Sequence, residues 1–377
     1  MAARPSGQVR ILVVNAGSSS LKLRVLGPGD EVMADRSFDA LEGQIDSGEL
    51  AAALGGVGGI DAVGHRIVHG GERFREPVLI DDGVVAALRE LSTLAPLHQP
   101  KSLGALEAVS RELPSVPAVA CFDTAFHATL PAAAATYALP AEWRARWSLR
   151  RYGFHGLSHA YAARRAAELL RPEDLRVVTC HLGAGASLAA VRDGRSVDTT
   201  MGFTPLEGLV MATRSGSVDP GLVLWLLEHE QMDEAELANA LEHSSGLRGL
   251  AGTPDMREVL RRREAGDEEA ALAFEVYVHR LRAGIGAMAA ALGGLDALLF
   301  TGGVGERSPL LREETCLGLG FLGVEVDSEA NAAARGDAEL TAAGAAVRVL
   351  VVNAREDLEI AHQVRGVLGA GGRRGQA

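Results

Sequence analysis

Residues 13–25 read VVNAGSSSLKLRV, two apolar runs around the polar knot Asn15-Ala16-Gly17-Ser18-Ser19-Ser20. A second knot, HLGAGAS at residues 181–187, sits between the apolar runs VVTC and LAAV. Backbone N–H groups at a Gly/Ser hairpin tip, with the hydroxyls of Ser18 and Ser20, can surround phosphate oxygens. Lys22 adds a positive charge there, and Asn15 could hold a metal-bound water. A polar turn that satisfies its own backbone would account for either tip viewed alone. The recurrence at His181, Gly183 and Gly185 favours a grip on a polyphosphate from two sides.

Two arginines stand apart from surface charge runs: Arg66 in VGHRIVHGG and Arg214 in LVMATRSGSVDPG. An arginine among apolar and glycine residues needs an anionic partner, because burying it unpaired is unfavourable. That partner is either a carboxylate of the chain or a bound phosphate or carboxylate held bidentately. Asp123 ends the apolar run VPAVACFD, as a helix N-cap or as a carboxylate at a strand end, where ligands of open α/β sheets sit. His155 lies between glycines and aromatics in RRYGFHGLSH; a hydrogen-bonded packing role is the plainer reading. Glu356 and Asp357 follow a strand in VVNAREDLEIA, as first-turn helix acids or with one carboxylate reaching Mg²⁺.

These residues need elements to carry them. Strand, tight turn and strand open the chain, with Leu21, Leu23 and Val25 on one face and Lys22 and Arg24 on the other. A helix-rich region is expected from about residue 82 to 113, then the buried strand before Asp123. RVVTCHLGAGASLAAV repeats strand, polar tip, strand, and the turn DGRS leads to another strand; two copies of one pattern suggest internal duplication. Spacing near 3.6 predicts helices through most of 220–295. ALLFTGGVGERSPLLREET reads as buried strand, glycine loop and helix start, suited to close passage of a nucleotide over backbone. GLGFLG at 318–323 matches GxGxxG, but a strand follows it where a dinucleotide site needs a helix, so it reads as a helix-to-strand turn. The stretch GAGGRRGQA at 369–377 has too little apolar content to fold.

With 377 residues, 47% hydrophobic, the chain suits two domains with ample core. A net charge of −12 argues against a nucleic-acid partner. No apolar run is long enough to span a bilayer. Cys121, Cys180 and Cys316 are far apart, which suggests reduced core-filling thiols in a cytoplasmic protein. No GxxxxGK[ST] is present, so a P-loop enzyme is excluded.

Taken in order, VVNAGSSSLKLRV, VGHRIVHGG, RRYGFHGLSH, MGFTPLEGLVMATRSGSVDPG and LFTGGVGER resemble the acetate kinase family, over nearly the whole chain. The resemblance implies a duplicated actin-like (ribonuclease H-like) α/β fold of two domains with a central cleft. The expected domains are 1–124 with 357–377, and 125–356, the second carrying the nucleotide side and a dimer interface. It implies reversible transfer of phosphate from ATP to acetate, or propionate, giving an acyl phosphate and ADP, in a cytoplasmic homodimer. Mg²⁺, replaceable by Mn²⁺, is the implied metal, near Asn15 and Glu356.

By the same resemblance Arg66, Arg214, Asp123 and His155 are catalytic, and Val68, Leu97, Phe154 and Pro205 line an apolar pocket with Arg66 beside it. Ser18, Ser20, Lys22, His181, Gly183 and Gly185 match the phosphate tips. Asp255, Met256 and Arg257, with Gly303, Val304, Gly305, Glu306 and Arg307, match the nucleotide side. Ala184 stands where the family usually has asparagine, which removes a donor to phosphate. That departure leaves open a catalytically weakened nucleotide-binding module; within the enzyme class, a butyrate kinase and a pyrophosphate-dependent relative remain alternatives.

Overall fold

The alternation at 21–25 becomes the second strand of a hairpin. β1 (Ile11–Ala16) and β2 (Ser20–Leu26) pair antiparallel, with Asn15 opposite Lys22, and Leu21, Leu23 and Val25 turn inward. In this computed structural model, residues 9–16, 20–39, 59–93, 99–171, 174–230 and 232–374 are described. β3 (Val32–Asp39) joins the free side of β2, antiparallel. β4 (Ala62–Ile67) runs parallel to β1, and β6 (Ala118–Phe122) parallel to β4. The two-residue β5 (Val78–Leu79) closes the edge antiparallel, giving the order β3-β2-β1-β4-β6-β5.

The second sheet repeats this plan strand for strand. β7 (Arg176–Leu182), β8 (Ala186–Arg192) and β9 (Arg195–Thr199) form the antiparallel half. β10 (Ala297–Thr301) and β12 (Arg348–Val351) continue it in parallel, and β11 (Ala338–Glu339) is the antiparallel edge. Its order is β11-β12-β10-β7-β8-β9, the mirror listing of the first. The doubling suspected from two polar tips is thus a doubling of topology, and the architecture is the duplicated α/β, actin-like one.

Parallel strands are covered on both faces, and the sequence supplies both. Val9, Ile11 and Val13 pack under Ile360, Ala361 and Val364 of the helix Glu356–Arg374. Leu12 and Val14 face Ala105, Ala108 and Val109 of the helix Gln99–Glu112. Each of these valine, leucine and isoleucine side chains contributes roughly 1.5–3 kcal/mol when buried. Gly64 permits the close approach of the last helix: a Cβ there would stand 2.4 Å from Ile360 Cγ2. By its internal packing the chain divides into two compact units. One comprises Met1–Ala128, Gly156–Tyr161 and Arg355–Ala377; the other comprises Thr129–His155 and Ala162–Ala354.

Two local expectations are corrected. Residues 302–305 are not an open glycine loop: the helix Gly302–Arg307 starts directly after β10. Gly302 has φ of +79°, and a Cβ would lie 2.8 Å from the Leu182 carbonyl oxygen, so the strand-to-helix corner is tight enough to demand glycine. The stretch from 369 also folds, because the last helix, anchored by its packed N-terminal turns, runs on to Arg374. Residues 375–377 lie outside the described residues. The three cysteines are buried and unpaired, and burial raises each thiol pKa. Among the described residues no helix is long and apolar enough to cross a membrane.

Candidate active site

The site residues fall into two sets, one in each unit. In the first unit, adjacent parallel strands deliver the chemistry. Arg66 lies near the end of β4 and Asp123 just beyond β6, where strand ends place side chains at one edge. The pair is a fork: Arg66 Nη2 donates to Asp123 Oδ2 at 2.7 Å, and Nε donates to both carboxylate oxygens at 3.1 Å. Arg66 Nη1 donates to Asn15 Oδ1 at 3.1 Å and lies 3.4 Å from Glu356 Oε2. Asn15 Nδ2 in turn donates to Glu356 Oε2 at 3.0 Å. Glu356 opens the last helix, where the dipole favours a carboxylate.

The backbone around Asp123 is equally fixed. Its N–H donates to the Ile67 carbonyl at 3.0 Å, and its own carbonyl accepts from Gly156 N at 2.9 Å. A Cβ on Gly156 would fall 2.1 Å from that carbonyl oxygen. Burial pushes the Asp123 carboxyl upward, and the Arg66 guanidinium opposes it. Burial alone would lower Arg66; Asp123 and Glu356 more than reverse that and hold it charged. One guanidinium between two carboxylates leaves the ionised set one negative charge in excess. Its oxygens, from Asn15, Asp123 and Glu356, are hard donors. Among the described residues no group of three His, Cys, Asp or Glu could cage a metal. The set therefore suits a hard dication held by one or two carboxylates together with a ligand's phosphates.

Lys22 is exposed on β2 opposite Asn15, and Val68 is buried beyond β4. Ser18 and Leu97 lie outside the described residues, and for Ser20 the backbone alone is described, at the start of β2.

In the second unit, His155 takes a left-handed backbone, φ +56°, unusual for a non-glycine residue. Its Nδ1 lies 2.9 Å from Ser187 Oγ, and its ring centroid 4.3 Å from that of His181. A Cβ on Gly185 would stand 3.1 Å from His155 Nε2 and 2.9 Å from Arg214 Nη2. Histidine, arginine and the second polar tip thus converge on one point. The tip is tied to the arginine's segment by Ala212 N, which donates to the Ala184 carbonyl at 3.1 Å. Arg214 Nη1 donates to the Pro205 carbonyl at 2.7 Å. Arg214 forms no ion pair with another described residue, and burial lowers its pKa, with Glu242 opposing. It is a largely desolvated cation suited to an anionic ligand. Phe154 is buried beside His155.

The remaining candidates are satisfied locally. Asp255 caps the helix Met256–Glu264, accepting from Arg257 N at 2.9 Å and from the exposed Arg257 Nη2 at 2.6 Å, and Met256 is buried. Gly303 and Arg307 are exposed, Val304 is half-buried, Gly305 is buried, and Glu306 Oε1 accepts from Ala354 N at 2.8 Å. Residues not anticipated from sequence support them. Ser187 orients His155. The fully buried Arg312 donates to the Gly305 and Glu306 carbonyls, both at 2.8 Å, and to Asn331 Oδ1 at 2.8 Å. Arg312 is followed by Glu313 and Glu314 in PLLREETCL, so in sequence it looked like part of a surface charge run.

A doubled actin-like fold, with one half-buried arginine at a strand end in the first unit and another beside the polar tip in the second, defines an α/β protein equipped to handle small anions and phosphates. Its relatives narrow this. An acetate kinase from Porphyromonas gingivalis has the same fold at a TM-score of 0.89, with 37% identity over 96% of this chain and 100% of that one. A propionate kinase from Francisella tularensis matches at 0.87, with 34% identity over 94% of this chain and 99% of that one. The acetate kinase of Trichormus variabilis is 43% identical over 94% of this chain and 98% of its own length. The chain belongs to the acetokinase family, whose model matches residues 54–362.

Proposed function

We propose that this chain transfers the terminal phosphoryl group of ATP to acetate, reversibly, giving acetyl phosphate and ADP. The observation that carries the reading is the Arg66–Asp123–Asn15–Glu356 set, one desolvated guanidinium locked between carboxylates. An acid with a pKa near 4 is ionised at neutral pH, so attack on phosphorus needs no general base. The obstacle is the approach of one anion to another, and catalysis is then positioning and charge neutralisation. Arg66 holds the acceptor carboxylate, and Arg214 neutralises the charge of the moving phosphoryl group. Asp123 aims Arg66 and takes no proton. His155, fixed by Ser187, donates to a phosphoryl oxygen. Asn15 and Glu356 would hold Mg²⁺, which when bound neutralises charge on the nucleotide phosphates.

The polar tips at Ser18–Ser20 with Lys22, and at His181–Gly185, receive the phosphates; Asp255–Arg257 and Gly303–Arg307 take the nucleoside side. Val68, Leu97, Phe154 and Pro205 bound the acid's alkyl end. One methylene discriminates by only about 1–3 kcal/mol, so propionate is a second substrate. We assign the enzyme to the cytoplasm, where ATP is available. We also assign it a homodimer through the helix Pro220–His229, none of whose residues is buried and which exposes Leu222, Leu224 and Trp225.

Incubation with ATP, Mg²⁺ and acetate, propionate or butyrate, with hydroxylamine to trap acyl phosphate, tests the reading. Trapped product that requires both ATP and the acid is expected, greatest with acetate. ATP loss without trapped product, or product only with pyrophosphate, overturns it.

A further inference from the structure

Arg214 is aimed by a backbone carbonyl rather than by a carboxylate, so whatever fixes Pro205 fixes the arginine. The segment 200–208 that carries Pro205 has no regular secondary structure. It is nevertheless held at both ends by side chains that no motif reading singled out.

At its start, Arg151 Nη1 donates to the carbonyls of Thr200, at 3.1 Å, and Met201, at 3.0 Å. The Gly202 carbonyl accepts from Tyr152 N at 3.0 Å and Gly153 N at 3.2 Å. At its end, Gly208 N donates to Ser217 Oγ at 3.1 Å, and Ser217 N donates to the Gly208 carbonyl at 3.0 Å. Glu207 joins these ends to the framework. Its Oε1 accepts from Arg151 Nη2 at 2.7 Å, and its Oε2 accepts from the Tyr137 hydroxyl at 2.5 Å. That hydroxyl accepts from Phe203 N at 2.9 Å, and the Arg151 guanidinium lies 5.5 Å from the Tyr137 ring centroid. Room for the pair is made by Gly202: a Cβ there would fall 1.7 Å from Glu207 Oε2 and 2.2 Å from the Tyr137 hydroxyl.

We infer that Glu207 is a positioning residue for Arg214: clamped by Arg151 and Tyr137, it fixes the segment whose Pro205 carbonyl receives the guanidinium. Glu207 makes no hydrogen bond to Arg214 itself. It sets where the Pro205 carbonyl stands, and that carbonyl, 2.7 Å from Nη1, sets where the remaining donors of the fork point. The inference rests on the proposed role of Arg214 in phosphoryl transfer.

A double-mutant cycle in the full-length enzyme tests it, with kcat and KM measured by hydroxylamine trapping with Mg-ATP and acetate. Glu207→Ala is expected to lower kcat about 10- to 100-fold, the size of effect a misplaced catalytic group produces, with both KM values within about threefold. In an Arg214→Ala background the same substitution should lower kcat by less than about threefold, because residues acting as a unit are not additive. Glu207→Gln, which keeps an acceptor for one of the two donors, should recover part of the loss and carries the cycle if the alanine variant does not fold. An equal loss in both backgrounds, or unchanged kcat in Glu207→Ala, overturns the inference and leaves the role of Arg214 standing. Near-normal turnover in Arg214→Ala alone removes that role, and the inference falls with it.

Discussion

Gly185→Ala separates the placement of Arg214 from the stability of the fold. Gly185 does not require a left-handed backbone, so alanine can adopt its conformation. The new methyl would stand 2.9 Å from Arg214 Nη2 and 3.1 Å from His155 Nε2, closer than the ~3.5 Å of an ordinary contact. One side must give by about half an ångström. His155 is pinned by its backbone and Ser187, so the flexible tip of Arg214 moves and strains its 2.7 Å bond to the Pro205 carbonyl. Relief at a flexible tip costs little stability. The gain of about 0.4–1 kcal/mol from a less flexible unfolded chain offsets much of the overpacking. The expected stability change is therefore within about 1 kcal/mol. A displacement near 1 Å can reduce turnover about 10²-fold. For half that, about 10- to 100-fold is expected, or roughly 1.4–2.7 kcal/mol in the barrier. The assay is kcat by trapped acetyl phosphate, alongside urea unfolding of the same preparation. Gly183→Ala is the comparison, since a Cβ there meets only Gly185 O at 3.4 Å and His181 Nε2 at 3.5 Å. Its loss would report on ligand approach and would appear in KM for ATP. Turnover of Gly185→Ala within threefold of the parent, with normal KM values, would refute the reasoning. So would a stability loss well beyond that range, which would mean the backbone had shifted.

Asp123→Asn should lower kcat by about 10²-fold or more, as Arg66 loses its aim, without moving either limb of the pH–rate profile; a displaced limb would assign Asp123 to proton transfer. His65 is buried on β4 with neither ring nitrogen partnered among the described residues, and burial lowers its pKa from 6.5 to about 3. The folded state thus binds the proton more weakly than the unfolded chain. Stability is whole above pH 6.5 and is lost as pH falls toward 3, by up to about 1.4 kcal/mol per unit. Urea unfolding at pH 7 and pH 5 should show His65→Phe gaining about 2 kcal/mol relative to the parent at the lower pH; an equal difference at both would contradict it. Arg312→Met, stripping hydrogen bonds from Asn331 and from the carbonyls at the end of the helix Gly302–Arg307, should reduce stability by about 3 kcal/mol or more in urea. KM for ATP should rise with it, and unchanged values would mean the helix end is held otherwise.

What could be read without coordinates was whatever repeats locally. Leu21, Leu23 and Val25 announced a half-buried strand, and the two polar tips announced two copies of one plan. Arg66 and Arg214 were visible because they interrupt apolar sequence. Asp123, Asn15 and Glu356 stood out as well, but their pairing with Arg66 did not. Asn15 and Glu356 are 341 positions apart, and Tyr137 and Glu207 are 70 apart. Side chains brought together by sheet order leave no periodicity behind. Of the two accounts of Arg66, the ion pair with a carboxylate of the chain is the one met, by Asp123. Helix after β10 was hidden because glycine signals a loop by default, whereas here a tight corner against Leu182 requires it.

The hydrogen bond between Asn15 and Glu356 has a bearing on biosynthesis. A ribosome adding about 5–20 residues per second needs roughly 20–70 seconds between the two. Throughout that interval Val9, Ile11 and Val13 lack the cover of Ile360, Ala361 and Val364. The first unit to leave the exit tunnel is therefore the later of the two to be completed. Nascent chains stalled short of residue 356 would display a greasy strand surface, a natural target for holding chaperones.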